Sequence, residues 1–229
     1  AHTPWDWHAP IMEHADSLGI DCFSSPFDAT AVDFLEELDV PAYKIASFES
    51  IDLPLIRKVA KTGKPMIIST GMASVVEIGE ALRTCREAGN EQVCILKCTS
   101  TYPATPENTN IRTIPNMRDT FGCEVGLSDH TMGTGVSVAA TALGAVLIEK
   151  HFTLARADGG VDSAFSLEPH ELQQLRDETE RAWQSLGQVT YGGTKAEGGS
   201  RQFRRSLYVA EDMEEGEAFT ETNLRSVRP

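Results

Sequence analysis

With 229 residues, 41% of them hydrophobic and 24% charged, the chain has room for one large globular domain, or a domain and a fragment. Thirty-four acidic residues against twenty basic give a net charge of −14, which argues against a nucleic-acid partner; an anionic substrate would need a local positive pocket. No apolar run approaches the roughly 20 residues that span a bilayer, and five cysteines without disulfide-framework spacing read as reduced thiols, so a soluble, cytoplasmic protein is expected.

The opening ten residues carry Trp5 and Trp7 ahead of any strand and begin without Met; they read as the tail of something longer. A helix over about 10–18 is expected to close at Gly19. A pattern then repeats. Apolar runs around Phe23, Ile45, Ile67, Ile95, Val125 and Leu147 are each followed by a polar turn, with helices expected near 29–38, 53–62, 75–88, 110–121 and 136–143. The spacing suits one βα unit each, and apolar strands without alternation imply that both faces are covered. Six such units, with no Gly-x-Gly-x-x-Gly after any of them, favour a (β/α)8 TIM barrel over a doubly wound dinucleotide fold. A complete barrel takes about 250 residues, so the expectation is an α/β barrel missing its first βα units.

Polarity falls at the strand ends: Ser24-Ser25, Ser47-Phe48-Glu49, Ser69-Thr70-Gly71, Thr99-Ser100-Thr101-Tyr102, Ser128-Asp129-His130 and Lys150-His151-Phe152-Thr153. Any one of these could be a helix N-cap. Six in succession, bearing Lys44, Glu49, Lys97, His130, Lys150 and His151, point instead to chemistry at the C-terminal rim, where barrel active sites sit. Lys44 is the expected cation of an anion pocket, the alternative being a rim ion pair with Glu49. His130 and His151, each just beyond an apolar strand, can share one metal ion, since neutral imidazole is a common ligand of divalent cations. The plainer alternative is that each ring bonds a backbone carbonyl.

Beyond Leu154 a long loop, 155–166, leads into an amphipathic helix over about 169–186. Residues 188–203, rich in Gly and Thr, read as a linker, and two short β-like elements follow in 204–229. The expected domains are therefore 1–187, a partial barrel, and 204–229, a truncated second domain too short to bury a core alone.

Lys44-Ile-Ala-Ser-Phe-Glu49, Ser69-Thr-Gly-Met72, Ser100-Thr-Tyr-Pro103, Gly126-Leu-Ser-Asp-His-Thr131 and Glu149-Lys-His-Phe-Thr153 together resemble the sialic acid synthase family. The first of these, with Asp162-Ser-Ala-Phe-Ser-Leu-Glu-Pro169, is most similar to its pseudaminic acid synthase branch, and Arg204 to Leu224 resembles the start of its C-terminal antifreeze-like (SAF) domain. The resemblance implies condensation of phosphoenolpyruvate with an amino-sugar aldose to give a nonulosonic acid and phosphate by C–O cleavage. The expected sugar is a 2,4-diacetamido-2,4,6-trideoxyhexose; the alternative is a sialic or legionaminic acid synthase using an N-acetylmannosamine-type substrate.

It further implies a divalent metal, Mn2+ or Mg2+, on His130 and His151, and substrate contacts from Ser25, Lys44, Ser47, Ser69, Ser100, Tyr102 and Ser128. Glu49 and Asp162 would orient substrate hydroxyls or the attacking water, and a homodimer would form through a swapped SAF domain. Two rival readings remain. A metal-dependent hydrolase would need further ligands, typically an early His-x-His, which the sequence lacks. An inactive, truncated homologue would serve as a binding or assembly module.

Overall fold

The computed structural model describes residues 3–229. Five strands run parallel in unbroken chain order: β1 (Tyr43–Ile45), β2 (Met66–Ser69), β3 (Val93–Cys98), β4 (Glu124–Asp129) and β5 (Ile148–Lys150). Helices α1 (His8–Ser17) and α2 (Ala29–Glu37) precede them, and α3 (Leu53–Ala60), α4 (Val75–Glu87), α5 (Thr113–Phe121) and α6 (Gly135–Ala142) cross between successive strands. The final helix of this unit is α7 (Pro169–Ser185). Contacts divide the chain into two compact units, Ala1–Leu186 and Gly187–Pro229.

Register sorts the side chains onto two faces, because successive strand residues point to opposite sides. Lys44 pairs with Ile67 and Ile67 with Cys94; Ser69 pairs with Leu96, and Cys98 with Ser128, which in turn pairs with Glu149. These residues share the inner face. The outer face carries Tyr43, Ile45, Met66, Ile68, Val93, Ile95, Val125 and Leu127, all buried in one core with Ile56 and Val59 of α3, Leu82 and Cys85 of α4, and Ile114 of α5. Burying side chains of this size, at about 1.5–3 kcal/mol each, is what holds the layers together.

The helices begin at other residues than the rim serines. Asp28 caps α2, Asp52 caps α3, and Ser74 forms a capping box with Glu77 on α4. Neither Ser25, Ser47, Ser69, Ser100 nor Ser128 is the N-cap of an α-helix. Helix α5 stops at Gly122, whose φ of 62° closes it in the left-handed conformation that glycine adopts without strain.

Two expectations need correction. The apolar run around Phe23 is not a strand: β1 pairs with β2 alone among the described residues, and Ile20 and Phe23 stay 59% and 37% exposed. An extended segment becomes a strand only through a partner edge, and apolar composition does not supply one. Strands β4 and β5 also run further than expected, so that Ser128-Asp129 and Glu149-Lys150 belong to the ladder. Alternation then turns Asp129 and Lys150 outward, and Lys97, opposite Leu127, outward as well. Lys97 and Lys150 therefore do not serve the inner rim. Lys97 donates instead to the Cys98 carbonyl and the Thr99 hydroxyl.

The second unit contains an antiparallel pair, β6 (Ser206–Val209) with β7 (Leu224–Val227). Its turn is held by buried Asn223, which accepts from the Thr220 amide at 2.7 Å and donates to the Ala218 carbonyl at 3.0 Å. Where a plain linker was expected, residues Lys195–Phe203 form a 3-10 run opened by a Thr194–Glu197 capping box. Leu207, Tyr208, Val209 and Phe219 are exposed, in keeping with a segment too short for its own core.

Candidate active site

The inner face near the ends of β1 to β5 gathers a continuous polar cluster. Lys44, buried in β1, donates to Ser69 Oγ at 2.8 Å and to the Ile45 carbonyl at 3.1 Å, and its ammonium lies 3.5 Å from Glu149 Oε2. The alternative of a rim ion pair with Glu49 is not what forms: the carboxylate beside the ammonium is Glu149. Ser128 donates to Glu149 Oε1 at 2.7 Å. Ser47 donates to Cys98 Sγ at 3.4 Å and accepts from the Gly71 amide at 3.2 Å, while Ser100 Oγ stands 3.5 Å from the same sulfur.

Gly71 owes its identity to this crowding: a Cβ there would meet Ser100 Oγ at 2.0 Å and Ser47 Oγ at 2.9 Å. Burial pushes the Cys98 thiol up. Hydrogen bonds from His130, Ser47, Ser100 and Ser128 outweigh burial and bring it down to about 7. A pocket that lowers a thiol in this way is rich in donors, as an anion site must be.

The two imidazoles adjoin this pocket, their ring centroids 5.2 Å apart. His130 Nδ1 lies 3.1 Å from the Thr99 carbonyl and 3.9 Å from Cys98 Sγ. A carbonyl at that distance requires a donor, so Nδ1 carries the proton and the Nε2 lone pair is left for a ligand. The carbonyl bond and the ligand role are therefore compatible. His151 Nδ1 stands 3.5 Å from Asp162 Oδ2. Burial alone would lower both imidazoles. For His130 the Cys98 thiol and the Thr99 carbonyl outweigh it and raise the ring, whereas for His151 burial and the His130 charge prevail and lower it.

Tyr102 packs edge-on to His130 at 4.4 Å and lies 6.0 Å from His151, while Phe165 packs against His151 at 5.1 Å and lies 6.1 Å from Tyr102. This donor set fits a divalent cation: two adjacent imidazoles, each with its Nδ1 beside an oxygen of the protein, beside a cluster of hydroxyls. Among the described residues Glu168, His170 and Glu171 also converge, but Glu168 and Glu171 form the capping box of α7 and both engage Arg156. That grouping is a helix start.

Of the expected site residues, Lys44, Ser47, Ser69, Ser100, Tyr102, Ser128, His130, His151 and Asp162 are joined by these contacts. Glu49 lies in the turn after β1, with Oε2 buried and without a hydrogen-bond partner. Ser25 lines a separate cleft with Trp5, Trp7, Phe23 and Phe27. The sequence reading missed Glu149, Cys98 and Phe165. Glu149 and Cys98 were legible in principle, two residues before His151 and two before Ser100, once β-alternation is extended to the strand ends.

The NeuB family model matches residues 1–191 of the chain. This chain belongs to the NeuB family. It is 41% identical to the pseudaminic acid synthase of Helicobacter pylori, the match covering 100% of this chain and 68% of that protein. Identity is 44% to the pseudaminic acid synthase of Campylobacter jejuni, over 100% of this chain and 67% of the relative. Among solved structures, the N-acetylneuraminic acid (sialic acid) synthetase of Leptospira borgpetersenii, determined with citrate, superposes with a TM-score of 0.82 at 30% identity, covering 89% of this chain and 71% of that one. The resemblance read from the motifs therefore holds, and the chain is an enzyme of the synthase family. Its parallel sheet is similar to part of the sialic acid synthetase fold.

Proposed function

We propose that this NeuB-family chain condenses phosphoenolpyruvate with a 2,4-diacetamido-2,4,6-trideoxyhexose to give pseudaminic acid and phosphate. The observation that carries the reading is the convergence of buried Lys44, four serine hydroxyls and two imidazoles on one rim, in a chain 41–44% identical to pseudaminic acid synthases. Phosphoenolpyruvate is a polyanion, and Lys44 with Ser47, Ser69, Ser100 and Ser128 offers the cation and donors that its phosphate and carboxylate need. Tyr102 packs beside the imidazoles where the sugar would lie.

His130 and His151 would hold Mn2+ or Mg2+, which when bound supplies Lewis-acid polarisation of the sugar's open-chain aldehyde. Lys44 and the serines would fix phosphoenolpyruvate with carbon 3 turned toward that carbonyl carbon. Water then adds at carbon 2, and the C–O bond to phosphate breaks. Glu49 and Asp162 are proposed to orient the sugar hydroxyls and that water; the unpartnered Glu49 Oε2 suits a group awaiting a donor. We infer in the same way that residues 204–229 open a SAF domain, that the enzyme is a homodimer swapping it, and that it works in the cytoplasm. Exposed Leu207, Tyr208 and Val209 on the β6–β7 pair favour a further covering surface.

The test is phosphate release from phosphoenolpyruvate labelled with oxygen-18 at the bridging position, with the diacetamido sugar and with N-acetylmannosamine as separate acceptors. Labelled phosphate with the first sugar is expected. Turnover with the second alone would assign a sialic acid synthase, and no release with either would leave an inactive homologue.

A further inference from the structure

The backbone ladder between β4 and β5 ends one residue short of the imidazoles. Its last registered pairs are Ser128 with Glu149 and Asp129 with Lys150, so His130 and His151 both lie just past the final pair. Beyond that point the two chains diverge: the His130 carbonyl accepts from Ala104, and the His151 carbonyl from Leu167. Main-chain pairing therefore does not set the distance between the rings.

A buried side-chain bridge spans the gap from behind. Lys150 Nζ lies 3.2 Å from Asp129 Oδ2, with the two side chains only 3% and 0% exposed, and it also donates to the Thr131 carbonyl. One ammonium thus holds both neighbours of His130, from the residue that immediately precedes His151. Asp129 is fixed in turn by the Thr131 amide at 2.9 Å, the Thr131 hydroxyl at 2.7 Å and the Ser137 hydroxyl at 2.6 Å, the last tying the bridge to α6. Four partners saturate the carboxylate, as a buried charge requires. The bridge sits on the outer face, away from the pocket, where it cannot touch substrate.

We infer that Lys150 is a positioning residue, whose ammonium straddles His130 through Asp129 and the Thr131 carbonyl and thereby fixes that imidazole relative to His151. The inference rests on the proposed cation site and adds what determines its geometry. An outer partner that orients a metal-binding imidazole is commonly worth about 10–100-fold in metal affinity. A lysine serving the sheet alone would leave that affinity unchanged.

The experiment uses the full chain and its Lys150→Met and Lys150→Arg variants. Mn2+ affinity is read by electron paramagnetic resonance, and the ring nitrogens of the metal-free protein by long-range proton–nitrogen NMR. Lys150→Met is expected to lower Mn2+ affinity by about 10–100-fold and to shift the His130 and His151 ring signals without metal. Lys150→Arg, which keeps a cation, is expected to recover most of both. If Lys150→Met does not fold, Asp129→Asn/Lys150→Met, which leaves no unpaired buried charge, is measured in its place. Parental Mn2+ affinity in a folded Lys150→Met, or equal losses in Met and Arg variants, overturns the positioning role. If the parent chain itself binds no Mn2+, the cation site fails; the metal-free ring signals then decide the positioning role, and unchanged signals in Lys150→Met overturn it.

Discussion

The Ser128 hydroxyl donates to Glu149 Oε1 at 2.7 Å across the β4–β5 register, leaving Oε2 of the same carboxylate 3.5 Å from the Lys44 ammonium. Glu149 thus partly neutralises the cation of the proposed anion pocket. In Glu149→Gln the lysine loses its counter-ion, so phosphate affinity should rise by about three- to tenfold at low salt and less at high salt. Lys44→Ala should act oppositely, raising KM for phosphoenolpyruvate while leaving that for the sugar unchanged. Calorimetry with inorganic phosphate, and steady-state kinetics for Lys44→Ala, check the pair; weaker phosphate binding in Glu149→Gln would contradict the counter-ion role.

Gly71→Ala probes how tightly the serine cluster is set. The added methyl would fall 2.0 Å from Ser100 Oγ and 3.2 Å from Cys98 Sγ, so the hydroxyls must turn away. Overpacking of this kind costs about 1–3 kcal/mol of stability, and displaced binding groups should lower kcat/KM by at least about tenfold. Thermal unfolding and kinetics on the same preparation suffice. Parental values for both would mean that the space is not as filled as the geometry requires.

Loss of either imidazole should abolish metal dependence. His130→Ala and His151→Ala are expected to reduce Mn2+-supported turnover by more than about 100-fold, and chelation should do the same to the parent, with recovery on adding Mn2+. The far-ultraviolet circular dichroism should be retained. Full activity in both variants would remove the ligand assignment.

The loop that brings Asp162 and Phe165 to His151 is fastened to α7 by Arg156, which engages Glu168 and Glu171 and the Ser166 carbonyl. The Arg156 guanidinium, and then the Glu168 amide, hold the Glu171 carboxyl below its usual value. A depressed folded-state pKa adds stability above the unfolded value of about 4.3, and that stability is lost as pH falls through the lower folded value. Solvent screens this partly exposed clamp, so its contribution near neutrality is small and favourable. Glu171→Gln should destabilise the protein at pH 7 and flatten its pH dependence below about pH 4. Equal unfolding midpoints for both proteins at pH 7 would rule the clamp out.

Most helices were legible because apolar periodicity and start signals coincide, as with Ser74 and Glu77 on α4 or Pro169 on α7. The two histidines were legible for the same kind of reason, each following an apolar run. Ile20–Phe23 misled because composition reports burial tendency and says nothing of a pairing edge. For Lys44 the only carboxylate partner considered was Glu49, five residues away, whereas its ion pair is with Glu149, a hundred and five residues on. Such a contact depends on register across five strands, and a one-residue slip would turn either side chain to the other face. Lys150 was placed on the wrong side for that same reason.

Because β4 and β5 are neighbours in the sheet and are joined in the chain by α6 alone, both ring-bearing residues and their rear brace come from one short contiguous stretch. Closing so short a loop carries little entropy cost, so this corner can assemble early in folding, ahead of contacts that join distant strands. It also travels as a cassette. A recombination event that exchanged residues 124–151 would transplant both imidazoles and their Lys150–Asp129 brace, while Lys44 on β1, the Thr99 carbonyl and Asp162 stayed behind.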